Sequence, residues 1–114
     1  MTGVDVTALL AMSEPELLDL LGGELLGTGP GVGPQDPGER RRFGETWLGG
    51  WLAEHRRSLC GSAPVVHLLS TEGTSQAEDV AALVDVLMGL LHGPVVTTVA
   101  VILVRRGLDS LCIP

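Results

Sequence analysis

Apolar residues in the last third of the chain recur at helical spacing. They are Val80, Leu83, Val84, Leu87, Leu90 and Leu91. This spacing places all six side chains on one face of an α-helix. Ser75 followed by Glu78 forms a capping box at its start, and Gly93 with Pro94 marks its end. The pattern therefore predicts an amphipathic helix over residues 76–91.

The next run, residues 95–104, is almost wholly apolar, and eight of its ten residues are Val, Ile or Thr. Branched side chains favour an extended chain. However, a strand would need a neighbour to satisfy its backbone, and the only candidate is the short segment 65–69. We therefore predict a helix buried on all sides. The alternative is a βαβ unit formed by 65–69, 76–91 and 95–104.

The first third of the chain predicts two helices. Residues 4–12 form a short one. Ser13 caps the second through a capping box with Glu16, and leucines follow at helical spacing. Gly22 and Gly23 interrupt this pattern, which predicts that the helix ends or kinks there.

A Gly/Pro-rich stretch, residues 27–35, alternates turn formers and predicts a loop. Asp36 and Pro37 then start a helix that runs to Cys60 and stops at Gly61. A short helical segment follows over residues 63–70. Together these elements predict an all-α fold in a single domain, residues 1–114. We expect a compact bundle of about five or six helices, with 37–60 and 76–106 as the longest packed pair.

The charge distribution limits the classes of partner. The net charge is −7, and all seven basic residues are arginine. This balance disfavours nonspecific binding to nucleic acid or to an anionic membrane. Five of the arginines lie in residues 37–60, whereas residues 1–36 carry six acids and no base. The charges of these two segments could pair with each other, but charges that stay solvated on helix faces are the commoner case.

The predicted helix 37–60 carries every aromatic side chain of the protein. Phe43, Trp47 and Trp51 recur at four-residue spacing, so they share one face. Large aromatic residues usually close a core. They also act as anchors of protein interfaces together with arginine, and Gly44, Gly49 and Gly50 form a small-residue strip that permits close approach of another helix. The candidate interface residues are Phe43, Trp47, Trp51, Arg56 and Arg57.

Histidines and cysteines offer little evidence of chemistry. The spacing of His55, Cys60 and His67 matches no compact zinc motif, and no catalytic signature accompanies any serine or cysteine. We predict neither a metal nor a cofactor. No basic segment precedes a long apolar run at the start of the sequence, so we expect a cytoplasmic protein whose two cysteines stay reduced.

These observations favour a non-enzymatic protein–protein interaction module. It would be an adaptor or a small regulatory subunit that acts with itself or with an operon-encoded partner. One alternative is a small-ligand or lipid carrier with an apolar pocket between helices. Another is a membrane-associated helical protein, because residues 86–104 form a long apolar stretch, although His92, Gly93 and Pro94 interrupt it.

Overall fold

The computed structural model describes residues 6–26, 37–71, 73 and 75–112, and these residues form an all-α bundle. The predicted fold class is confirmed. The described residues contain seven helices, of which the first and the last are only five residues long. The helices are α1 (Val6–Leu10), α2 (Glu14–Leu26), α3 (Pro37–Gly61), α4 (Ala63–Ser70), α5 (Gln76–Leu87), α6 (Val95–Arg106) and α7 (Leu108–Cys112).

Helix α6 forms the centre of the bundle. Nine consecutive or nearly consecutive residues between Val95 and Val104 are buried, and α1, α2, α5 and α7 pack around them. The branched side chains of this segment favour a strand locally. Burial on every side outweighs that preference, because each fully buried Val or Ile contributes about 1.5–3 kcal/mol. The predicted buried helix is confirmed, and the described residues contain no βαβ unit.

Thr98 is the one buried polar residue of the described core. Its Oγ1 donates a hydrogen bond to the Pro94 carbonyl one turn earlier, at 3.2 Å. This bond satisfies the hydroxyl inside the helix, as serine and threonine commonly do. A polar side chain is therefore tolerated in an otherwise apolar segment.

Helices α2 and α3 cross closely at two glycines. A Cβ atom on Gly22 would collide with the Arg40 carbonyl of α3, and one on Gly44 would collide with the Leu18 carbonyl of α2. Arg40 Nε also donates to Asp19 Oδ1 at 3.0 Å beside this crossing. Pairing between the acidic first segment and the basic middle segment therefore occurs within the chain. The predicted end of α2 at Gly22 is wrong, because the helix continues through this glycine to Leu26 and Gly22 admits the contact with α3.

Alanine substitution should have opposite effects at Gly44 and Gly50. Gly44→Ala places a methyl group against the backbone of α2, so we expect it to lower the free energy of unfolding by about 1–3 kcal/mol. Gly50 is exposed on the same helix, and a Cβ added there would meet no other described residue within 4 Å. Gly50→Ala should therefore raise the free energy of unfolding by roughly 0.5–1 kcal/mol. Urea unfolding of both variants tests this, and equal effects would contradict the close crossing.

Two further predictions are wrong, one about which helices pack together and one about where α5 ends. Helix α3 packs mainly against α2, whereas α5 and α6 pack against each other, so 37–60 and 76–106 are not the main pair. Helix α5 ends at Leu87, and residues 88–91 form turns that lead to Gly93, whose positive φ of 74° requires glycine. The residue types of 88–91 suit both a last helical turn and a series of turns. The sequence alone therefore does not place the end of α5.

The helix starts follow the capping pattern. Ser13 N donates to Glu16 Oε1 at 2.9 Å, and Glu16 N donates to Ser13 Oγ at 3.3 Å. Ser75 and Glu78 form the same reciprocal pair. Both predicted capping boxes are confirmed, and these hydrogen bonds lower the pKa of the Glu16 and Glu78 carboxyls. The Gly/Pro loop predicted over 27–35 and the Asp36 cap lie outside the described residues.

Candidate protein interface on helix α3

One face of α3 is buried in the bundle and the other faces solvent. The helix has 25 residues and is about 37 Å long. Gly44, Leu48, Trp51 and Leu59 are buried, whereas the opposite face exposes small and polar residues. These exposed residues are Arg42, Thr46, Gly49, Gly50, Ala53 and Arg57. We call this solvent-facing set the α3 outer face.

The glycines of the predicted small-residue strip divide into two groups. Gly44 packs against α2, but no other described residue has an atom within 4 Å of the position that a Cβ would take on Gly49 or Gly50. Both are exposed in the middle of a long helix. Each mid-helix glycine costs about 1 kcal/mol relative to alanine. The described contacts within this chain give no packing reason for either one.

Three aromatic rings stack along the edge of α3. The Trp47 and Trp51 centroids are 6.2 Å apart, and those of Trp51 and His55 are 4.6 Å apart. His55 Nδ1 also lies 3.0 Å from the Trp51 carbonyl oxygen, which fixes the imidazole against the helix. Stacked rings of this kind stabilise a helix surface by about 0.5–1.5 kcal/mol per pair.

Exposure differs among the predicted interface residues. Phe43 is 39% exposed, Trp47 is half-buried and packs against the core, and Trp51 is only 8% exposed. Trp51 therefore belongs to the core, which leaves little of its ring for a partner. Arg56 and Arg57 are exposed near the end of the helix. Arg57 therefore belongs to the α3 outer face, Phe43 lies beside it, and Trp51 is buried on the opposite side of the helix.

Arginines flank the small residues of the α3 outer face. Arg42 precedes Gly49 and Gly50, and Arg57 follows them about four turns after Arg42. The structure records no hydrogen bond or ion pair between either arginine and another described residue. Arg56 differs, since its Nε donates to the Leu111 carbonyl oxygen at 2.7 Å. The outer face therefore carries an exposed arginine at each end in a protein whose net charge is −7, and the exposed Glu45 and Glu54 lie along its edges.

Sequence reasoning missed the pairing of the two cysteines. Cys60 and Cys112 form a disulfide, with their Cα atoms 5.5 Å apart, so the prediction that both stay reduced is wrong for this structure. They are separated by 52 residues. Only the return of α7 onto the end of α3 brings them together, and the spacing of two cysteines carries no signal of such a return.

The sequence also raised the questions of a metal site, a membrane span and a ligand pocket. Among the described residues, no three His, Cys, Asp or Glu side chains converge on a possible metal position. No described helix combines the length and the apolar character needed to cross a membrane. A depression of about 300 Å³ lies between α5 and α6. Its lining includes Val84, Met88, Leu91 and Val96.

Glu24 is a partly buried carboxylate that the sequence pattern did not single out. Its Oε1 is buried and has no hydrogen-bond partner among the described residues. Burial raises the pKa of Glu24 above its ordinary value of 4.5. The Thr98 hydroxyl lies near and opposes this shift, but its proton is directed to the Pro94 carbonyl. We therefore assign the raised pKa to loss of solvent around the carboxylate.

The raised pKa predicts that stability falls as the pH rises. Just above pH 4.5 the folded chain keeps the Glu24 proton while the unfolded chain has released it, so the free energy of unfolding decreases through that window. Glu24→Gln should therefore melt at a higher temperature than the wild type at pH 7 and at the same temperature at pH 4. Thermal unfolding at both pH values measures this. Glu45→Gln, on the exposed surface of α3, is the control, and an equal gain there would contradict the assignment.

Comparison with known proteins yields no relative. The chain matches no family model, no curated protein and no solved structure. Among the described residues, the α3 outer face is the surface that carries two exposed glycines in the middle of a helix.

Proposed function

We propose that the protein is a non-enzymatic interaction module whose α3 outer face binds an acidic helix of a protein partner. The observation that carries this proposal is the pair Gly49 and Gly50, which lie open on the surface of the longest described helix. A helix face of small residues allows the backbone of a second helix to approach closely. Interaction surfaces on preformed helices commonly work in this way.

The two glycines support the proposal of a partner because they stabilise no contact among the described residues of this chain. An alanine methyl group at either position would contact no other described residue, and it would improve helix propensity. Gly22 and Gly44 show what such residues do in this fold, since each admits a carbonyl of the neighbouring helix. By the same physical reasoning, Gly49 and Gly50 suit a helix that another chain supplies.

The charges and the exposed ring specify the partner. Arg42 and Arg57 flank the glycines, so a partner helix with Asp or Glu at both ends of its contact surface would be attracted electrostatically. Phe43 offers an exposed apolar ring beside the first of these arginines. Aromatic and arginine side chains are the residues that most often anchor protein interfaces.

A site-specific cross-link provides the test. A photoreactive amino acid replaces the exposed Thr46 in the full chain, and the cross-linked protein from native cells is identified by mass spectrometry. Gly50→Gln should reduce the yield at least roughly tenfold, because its side chain blocks the approach of the partner helix. Ala81→Gln, on the exposed face of α5, is the matched control and should leave the yield unchanged.

The properties of the captured protein decide between outcomes. An acidic helical segment, with binding that weakens as the salt concentration rises, would support the proposal. A second copy of this chain cross-linked through α5 or α2 would identify self-association, since those helices carry exposed acids. Unchanged cross-linking in Gly50→Gln, with the circular dichroism spectrum intact, would sink the proposal.

A further inference from the structure

The Cys60–Cys112 disulfide lies in an open hollow that arginines line. Both cysteines are partly exposed, and the hollow has a volume of about 510 Å³. The described residues that line it are Ala53, Arg56, Arg57, Cys60, Gly61 and Cys112. A disulfide that serves only as a staple has no need of an accessible basic surface. Access is the first condition for attack on a disulfide by an external thiolate.

The arginines are placed to receive an anion beside the sulfur atoms. Arg56 and Arg57 precede Cys60 by four and three residues, so their side chains start from the same side of α3. The Nε of Arg56 donates to the carbonyl of Leu111, the residue before Cys112, at 2.7 Å. Arg56 thus joins the last turns of α3 to the residue before Cys112. Arg57 is exposed and forms no hydrogen bond or ion pair with another described residue.

The segment that the disulfide holds is short and joined by a glycine. Gly107 has a φ of 93°, a conformation that favours glycine, and α7 contains only five residues. A helix of this length does not persist in water without tertiary contacts. Leu108, Leu111 and Cys112 are only partly buried. The disulfide and the Arg56 hydrogen bond therefore provide much of what keeps α7 on α3.

We propose that Cys60–Cys112 is a reversible exchange site for small anionic thiols, and that its reduction frees α7 from α3. The attacking thiolate forms a bond to Cys112 Sγ while the Sγ–Sγ bond breaks, and Cys60 leaves as a thiolate beside the arginines. A second thiol then attacks the sulfur of the first, which releases Cys112 as a thiol. Two thiols are oxidised to one external disulfide, and their two electrons reduce the protein disulfide.

Reduction kinetics of the purified full chain test the recruitment of anions. The probes are 2-mercaptoethanesulfonate, which is anionic, and neutral 2-mercaptoethanol, with rates compared at equal thiolate concentration. We expect the anionic thiol to react roughly tenfold faster at low salt, in line with electrostatic steering. Arg57→Gln should remove this advantage, while Arg41→Gln, at the other end of α3, should retain it. Equal rates for both thiols in the wild type would overturn the proposal.

The redox equilibrium with glutathione tests whether the disulfide forms and breaks reversibly, and amide hydrogen exchange tests whether reduction releases α7 from α3. In glutathione buffers of varied ratio, alkylation and mass spectrometry should show conversion between the oxidised and reduced chain. A bond that stays intact at every ratio would identify a structural disulfide and overturn the proposal.

After reduction, the backbone amides of α7 should lose their protection from hydrogen exchange, while those of α6 should keep theirs. Unchanged protection in α7 would refute the release. No partner protein is needed, so these outcomes are independent of the proposed function.

Discussion

A Trp51→Ala chain is expected to lose about 3–5 kcal/mol of unfolding free energy, which is a large share of the stability of a small domain. The Trp51 ring is 8% exposed and belongs to the described core. It also stacks between Trp47 and His55. The substitution therefore removes a large apolar side chain and both stacking contacts, and the helices cannot close the space without moving.

Phe43→Ala is the matched control for Trp51. The two residues lie on the same helix two turns apart, but Phe43 is 39% exposed. We expect a loss of at most about 1 kcal/mol there, as for most surface positions. Urea unfolding, followed by far-ultraviolet circular dichroism, measures both. Similar losses in the two variants would show that Trp51 is not part of the core.

This result also decides how partner binding should be tested. A charge at Trp51 would be buried in the core, and an unpaired buried charge destabilises a protein strongly. Loss of binding in Trp51→Glu would then report unfolding rather than an interface. Surface positions such as Gly50 avoid this ambiguity, because their substitution meets open space.

Removing the disulfide is the second large change that we expect. Cys112→Ser opens a link between residues separated by 52 positions, and the loop-entropy relation gives about 4 kcal/mol for that length. The loss comes mainly from the greater freedom of the unfolded chain. It should appear as a lower urea midpoint for Cys112→Ser and for the reduced wild type.

The single and double serine variants provide the control. Cys60→Ser and the chain with both substitutions should lose the same amount as Cys112→Ser, because each opens the same loop. Additive losses would mean that the cysteines act through separate packing contacts. A wild type that unfolds identically with and without reductant would show that the bond contributes nothing in solution.

Sequence patterns correctly predicted the features that depend on interactions between residues close together in the chain. Ser13 with Glu16 and Ser75 with Glu78 form the predicted capping boxes, because a side chain three residues away can reach an orphaned backbone N–H. The start of α3 at Pro37 and its end at Gly61 also follow from residue types. For residues 95–104 local propensity pointed to a strand, and only the lack of a plausible neighbouring strand favoured the helix.

The candidate site could be predicted only in part. Helical spacing correctly placed Phe43, Trp47 and Trp51 along one edge of α3, but it could not say which ring is covered. The same spacing joined Gly44 to Gly49 and Gly50, whereas the structure separates them. That difference depends on how far α2 extends along α3, and no residue of α3 encodes the position of its neighbour.

By itself, the sequence determined that this chain is helical, where most of its described helices begin, and that its basic residues concentrate on α3. These properties depend on contacts within a few residues. Only the tertiary structure decided that α2 rather than α6 covers α3, that Trp51 is buried, and that Cys60 meets Cys112. Each of these results depends on contacts between distant segments, whose free energies add up over the whole core rather than along the chain.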